Sequence, residues 1–196
     1  MSSHHVIREQ QEPALLISDV KNTYLEDIQP LLEWSPTILV LQNCIDTVMK
    51  WGIKIDGVVV REHDLSETKQ KLIRQEPIKY ITHTKEQENL TTAIHFLVQH
   101  KHEAVNIIGD EFLLFPIVNP FTNSLQLVVH NKYKRSYRVT HHFRKWVLAN
   151  TQFEILPETK TIKTAGLQKV NNLYVSSKEG KIEIRDLSSF WVIEHL

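Results

Sequence analysis

The chain has 196 residues, enough to bury a full core in one large domain or two small ones. Hydrophobic residues at 41% and charged residues at 23% are ordinary for a globular protein, and 23 basic against 23 acidic side chains leave no net charge, so bulk nucleic acid is not an expected partner. The one cysteine, Cys44, excludes an internal disulfide framework and the common cysteine-based zinc spacings. The first residues hold no apolar stretch of signal-peptide length, and no window approaches the ~20 apolar residues of a membrane span, so a cytoplasmic location without membrane contact is expected. The 11 histidines include His4-His5, His100-x-His102 and His141-His142, none with the helix-borne spacing of a metal site. No metal ligands are assigned.

Up to about Gly109, apolar strands alternate with helical stretches, the signature of βαβ units and a parallel sheet. Ala14 to Ser18 reads as the first strand. Thr23-x-x-Glu26 is a capping-box pattern opening a helix whose Tyr24, Ile28, Leu31 and Leu32 share one face. Pro30 either kinks that helix or starts a second short one. Ile38 to Leu41 is the second strand, followed by a helix with Ile45, Val48 and Met49 inward and Gly52 at its end. Gly57 to Val60 is the third strand, Leu65 to Gln75 a helix ending before Pro77, and Ile78 to Ile81 the fourth strand. Thr84-x-x-Gln87 offers another capping box, before a helix with Leu90, Ile94, Leu97 and Val98 on its core face. Val105 to Gly109 completes a fifth strand.

Beyond Gly109 the helical period fades. Leu113–Val118, Leu125–His130, Tyr137–Val139, Phe153–Leu156, Leu173–Val175, Ile182–Ile184 and Phe190–Ile193 read as strands, separated by proline, asparagine and glycine breaks. Glu179-Gly180 fits a hairpin turn between the Tyr174 and Lys181 segments, and His141 to Ala149 is the one helical candidate. The fold class expected is therefore α/β: a parallel-sheet domain over residues 1–140, then a smaller antiparallel β-sandwich domain over residues 141–196.

Three features carry a resemblance to a known family. The apolar strand into Gln42-Asn43-Cys44, the Gly52-Ile53-Lys54-x-Asp56 step, and the strand into Val60-Arg61-Glu62-His63-Asp64 sit at the intervals found around the nucleotide site of thiamine pyrophosphokinases, as do Leu90-x-x-Ala93-Ile94 and Ile107-Ile108-Gly109. The chain resembles that family in spacing over most of its length, most strongly from Pro13 to Gly109. The resemblance implies an α/β domain on the ATP side, a β-sandwich domain on the thiamine side, and a homodimer. The family reaction moves a pyrophosphoryl group from ATP to the thiamine hydroxyl and leaves AMP, chemistry that rests on positioning and on oxygen ligands for magnesium.

The family's acids are where this sequence departs. Asp-Gly-Gly, Gly-Asp-x-Asp-Ser and Asp-Leu-Glu-Lys-Ala align with segments in which Gln42, Arg61, His63, Asn89 and Thr91 stand at the acidic positions, and an earlier family Asp falls on Thr84. A positive charge ~4 Å from a divalent cation at an effective dielectric of ~20 is repelled by about 8 kcal/mol, so Arg61 opposes magnesium at that place. The family's Gly-Gly-Arg-x-Asp-His is replaced by Asp110-Glu-Phe-Leu-Leu-Phe-Pro116, from which a phosphate cradle of backbone N–H groups is hard to build.

Three readings follow. In the first, the magnesium and ATP site is lost or remodelled, and Gln42, Asn43, Arg61, His63, Thr84 and Asn89 line a site for a nucleotide, thiamine phosphate or other phosphate ester, with no cofactor assigned. Arginine supports this by gripping oxyanions bidentately at the C-terminal end of a parallel strand. In the second, the chain is an active thiamine diphosphokinase using magnesium and ATP through the shifted acids Asp64, Glu88 and Asp56. In the third it is a dimeric structural or partner-binding protein in which Arg61 only pairs with Glu62, Asp64 or Glu67.

Overall fold

The computed structural model describes residues 12–84 and 89–196. The chain divides into two compact units between Leu127 and Val128.

In the first unit five strands, β1 (Ala14–Ile17), β2 (Ile38–Leu41), β3 (Gly57–Arg61), β4 (Lys79–His83) and β5 (Ala104–Ile108), pair in the order β5-β1-β2-β3-β4. The pairs β1–β2, β1–β5, β2–β3 and β3–β4 are all parallel. The helices are α1 (Leu25–Leu32), α2 (Ile45–Lys50), α3 (Leu65–Lys71), α4 (Asn89–Gln99) and α5 (Glu111–Val118). β1 and β2 are buried at every position, as expected for parallel strands covered on both faces. On one face, Leu15, Ile17, Val40, Val58 and Val60 meet Ile28 of α1 and Ile45 and Val48 of α2. α4 covers β2, β3 and β4 and contributes the buried Leu90, Ala93, Ile94 and Leu97.

Local signals resolve as follows. The α1 capping box lies one residue later than the Thr23 pattern: Tyr24 is the N-cap, and its N–H donates to Asp27 at 2.8 Å. Pro30 stays inside this single helix. Gly52 ends α2 with φ +70, the left-handed conformation that a glycine adopts without penalty. The helix expected from Leu65 to Gln75 is α3 plus a separate 3-10 turn at Ile73–Gln75, and the Gln75 amide reaches back to Ile55 N and Ile53 O. Gln87 and Glu88 of the expected Thr84 capping box lie outside the described residues.

The strand expected at Leu113–Val118 is instead helix α5. Asp110 caps it, its carboxylate accepting from Phe112 N at 2.9 Å, and Pro116 sits inside the helix. A short apolar run such as Glu111-Phe-Leu-Leu-Phe-Pro-Ile-Val118 does not distinguish the two periods by itself, and the cap decides it.

The second unit holds β6 (Gln126–His130), β7 (Lys134–Val139), β8 (His142–Val147), β9 (Gln152–Leu156), β10 (Lys163–Ala165), β11 (Leu167–Val170), β12 (Leu173–Ser176), β13 (Gly180–Arg185) and β14 (Phe190–His195). Its strands form one layer in the order β11-β12-β9-β14-β7-β6 and a second, three-stranded sheet in the order β10-β13-β8. Between the layers, Val147, Ile182 and Ile184 pack with Val139, Phe153, Ile155, Phe190 and Val192, which makes the unit an antiparallel sandwich. The unit begins inside β6, earlier than residue 141, because β6 pairs with β7 and β7 with β14.

Two expectations from the sequence change in this unit. His141–Ala149 is not helical: β8 pairs along its length with β13, and its side chains alternate in exposure until Val147 is buried. Glu179-Gly180 does not close a hairpin, since β12 pairs with β11 and β9 whereas β13 pairs with β10 and β8; the segment crosses between sheets. β10 and β11 carry no strand signal because they are short and mostly exposed. Gly166 joins them at φ +75, where a Cβ would stand 3.0 Å from the Lys181 carbonyl oxygen. Among the described residues no helix is long and apolar enough to cross a membrane.

Candidate ligand site at the strand ends

The parallel pairing aligns the C-terminal ends of the first unit's strands. Ser18 and Asp19 follow β1, Gln42 and Asn43 follow β2, Arg61 ends β3, His83 ends β4 with Thr84 next, and Gly109 and Asp110 follow β5. Open α/β sheets bind ligands along this edge, especially where the strand order reverses, here between β1 and β5.

The centre of the edge is a polar cluster around Asp64. After β2 the chain makes a 3-10 turn at Gln42–Cys44, and after β3 it makes another at Glu62–Asp64. These turns bring Gln42 and Asp64 together. The Gln42 side-chain amide donates to Asp64 Oδ2 at 2.7 Å, while its carbonyl oxygen accepts from Arg61 N at 3.2 Å. Arg61 Nε donates to the same Asp64 oxygen at 2.9 Å, and His63 Nε2 lies 3.4 Å from it. The Gln42 hydrogen bond, then the hydrogen bond and charge of Arg61, hold the Asp64 carboxyl below its usual range. His63 is exposed, whereas Arg61 and Asp64 are partly covered.

At the β1 side, Asn43 Nδ2 donates to the Ser18 carbonyl at 3.2 Å, and Ser18 Oγ donates to the Ile108 carbonyl at 2.7 Å. Ser18 N and Asp19 N both donate to Ile108 O as well, so backbone and hydroxyl groups tie β1 to β5 where the order reverses. The approach is close enough that a Cβ on Gly109 would stand 2.7 Å from Ser18 Oγ. Asp19 Oδ1 accepts from Lys21 N at 2.9 Å. Burial first, and Asp19 second, push the Cys44 thiol up to about 12, so Cys44 is an inert core residue.

The residues singled out from sequence divide clearly. Gln42, Arg61, His63 and Asp64 come together in one hydrogen-bonded cluster. Asn43 stands beside it on Ser18, and Thr84 is exposed one residue past β4. Asn89 is the first residue of α4. Asp56 is at the other end of β3, where Oδ2 accepts from Ile38 N at 2.8 Å; a carboxylate that precedes a parallel strand cannot serve the edge at which that strand ends. Glu88 lies outside the described residues. The structure adds Ser18, Asp19 and His83, which sequence reading passed over. His83 is buried and stands in register with Arg61 across the β3–β4 pair. The signal for all three was only their place just at a strand's end.

No family model matches the sequence, and no curated protein does. Solved structures do match. Thiamine pyrophosphokinase from Bacillus subtilis superposes with a TM-score of 0.69 at 9% identity, covering 93% of this chain and 98% of that one. The Candida albicans thiamin pyrophosphokinase gives a TM-score of 0.72 at 10% identity, covering 96% of this chain and 90% of that one. The fold is that of the thiamine pyrophosphokinases. The yeast enzyme, at a TM-score of 0.64 and 10% identity, covers 95% of this chain and 87% of its own. A thiamine pyrophosphokinase fold explains the two-part plan and puts the Asp64 cluster on the edge where open α/β sheets receive ligands. At such identity the likeness speaks for the fold alone, and the chemistry must be argued from the side chains.

Proposed function

We propose that this chain is a thiamine-pyrophosphokinase-like protein that binds a nucleotide or other phosphate ester at the strand ends without magnesium and without pyrophosphoryl transfer. The observation that carries the reading is the state of Asp64. A magnesium ion wants open carboxylate oxygens in near-octahedral array. The carboxylate in this cluster spends Oδ2 on Gln42 and Arg61, and the guanidinium occupies the place of a cation. Among the described residues no three His, Cys, Asp or Glu side chains gather to hold a metal. Among the described residues, the donors at this edge are a poor match for a magnesium ion.

What remains suits an oxyanion. Arg61 and His63 are cationic or hydrogen-bonding groups at the end of a parallel strand, and Asn43 and Thr84 flank them. A phosphate arriving here competes with Asp64 for Arg61, a charge-assisted exchange that needs no metal. α5 starts where the resemblance places the family's glycine-rich phosphate segment, and its Phe112 N–H is already capped by Asp110. That supports loss of the transfer step in particular. A homodimer is proposed on the family resemblance.

Isothermal titration with ATP, thiamine and thiamine diphosphate, each with and without magnesium, tests the proposal. Binding of a phosphate ester that ignores magnesium and disappears in Arg61→Ala is the expected result. Release of AMP that depends on both thiamine and magnesium overturns it, and no binding of any of the three leaves a structural or partner-binding role.

A further inference from the structure

The first unit has a cavity at the end of its strands opposite the Asp64 edge. It has a volume of about 430 Å³, within the range of small-molecule sites, and is lined by Ser35, Thr37, Asp56, Lys79, His100 and His102, among others. Thr37 comes just before β2, Lys79 opens β4, and the two histidines follow α4.

The chemistry of this lining is specific. Lys79 Nζ is 2.7 Å from His100 Nε2, and His100 Nδ1 is 2.8 Å from the Phe96 carbonyl oxygen. An ammonium only donates and a carbonyl only accepts, so His100 Nδ1 carries the proton that Phe96 O accepts, and Nε2 accepts from Lys79. The Lys79 ammonium also lies 4.6 Å from the centroid of the Phe96 ring, on which His100 stacks at 4.0 Å. Among the described residues, then, this lysine meets an imidazole and a phenyl ring but no carboxylate partner. A cation held against apolar surface without an anion is poised to take one.

His102 adds a second element. It is only 7% exposed, and its Nδ1 is covered with no hydrogen-bond partner among the described residues. Burying a bare lone pair is less costly than burying an unused N–H, which puts the proton on Nε2 and makes that atom the donor the ring can offer the cavity. Burial lowers its affinity for a second proton. Asp56 is the one opposing charge in the lining, with Oδ2 engaged by Ile38 N.

We propose that this cavity binds a small ligand through an oxyanion, a carboxylate or phosphate group, held by Lys79 and His102 beside the His100 ring. The Lys79 ammonium supplies the charge, and the exchange of His100 Nε2 for an oxyanion oxygen gives Lys79 a stronger partner than the one it has.

Inorganic phosphate and acetate are titrated separately into isotopically labelled full-length protein while the ring signals of His100 and His102 are followed by NMR. Saturable shifts with either anion are expected, the more effective anion identifying the class of group. Affinity should fall at least about tenfold in Lys79→Gln, an exposed position whose change leaves the core alone, and rise in Asp56→Asn, which keeps an acceptor for Ile38 N. Arg61→Ala should leave these shifts unchanged. The proposal is overturned if neither anion gives saturable shifts, if Lys79→Gln binds as well as the parent, or if the shifts vanish in Arg61→Ala alone.

Discussion

Gln42 makes two hydrogen bonds at the end of β2, one to the Asp64 carboxylate and one from the Arg61 backbone, and so stitches the β2 and β3 turns together. Replacing it with leucine removes the largest influence that keeps Asp64 acidic. In Gln42→Leu the Asp64 titration, followed by carboxyl carbon NMR, should therefore move up toward the ordinary aspartate value. Arg61→Ala should move it in the same direction, and His63→Ala least. The sign for stability follows from linkage: a carboxyl whose native pKa is depressed contributes fully above its unfolded value near ~4, and the contribution is lost as pH falls through the native value. Acid unfolding of Gln42→Leu should show a shallower dependence on pH in that window. An Asp64 titration that does not respond to Gln42 would show that the cluster is not the unit described here. The composition of this cluster was legible in the sequence, because Gln42, Arg61, His63 and Asp64 follow recognisable strands. Its wiring was not, since it depends on two 3-10 turns whose hydrogen bonds leave no periodic trace.

At the scale of elements, the parallel strands were legible because burial on both faces demands continuous runs such as Leu39-Val40-Leu41 and Val58-Val59-Val60. Gly52 was legible for a different reason: only a residue at ease with positive φ ends a helix that way. α5 and β8 were not. Each is short: in β8, pairing with β13 along its length outweighs local propensity, and in α5 one local contact, the Asp110 cap, decides between two periods. This makes Asp110 a decisive residue. Asp110→Ala leaves Phe112 N without its acceptor and should destabilise the protein by about 1 kcal/mol, whereas Asp110→Asn should retain most of the cap. Denaturant melts of the three proteins compare these directly. Equal midpoints for Asp110→Ala and the parent would mean that packing of Leu114, Phe115 and Val118 holds the helix without help from its first turn.

For the whole molecule, what counts is that a fold shared with thiamine pyrophosphokinases at about a tenth identity carries, in this chain, a strand-end edge built on Gln42, Arg61, His63 and Asp64. The strands tolerate substitution here because these side chains lie at or past the ends of their ladders: Gln42 and His63 sit in turns, and Arg61 is the last residue of β3. Fold and edge chemistry are therefore separable by substitution. The triple variant Gln42→Asp, Arg61→Asp, His63→Asp places acids at the positions where the sequence resemblance expects them and gathers four carboxylates with Asp64. Their mutual repulsion has no cation to offset it, so the variant should melt below the parent in a metal-free buffer. Added magnesium should recover much of that loss by mass action, while leaving the parent's melting temperature where it was. AMP formation from ATP and thiamine should remain absent, because restoring metal ligands does not rebuild a phosphate cradle at a helix start occupied by Asp110 and Glu111. Magnesium stabilisation without turnover is the expected pair of results. If AMP appears, the acids alone separate this chain from the family reaction, and the α5 segment is no barrier; if magnesium does nothing, the turns at Gln42 and His63 do not converge on one ion.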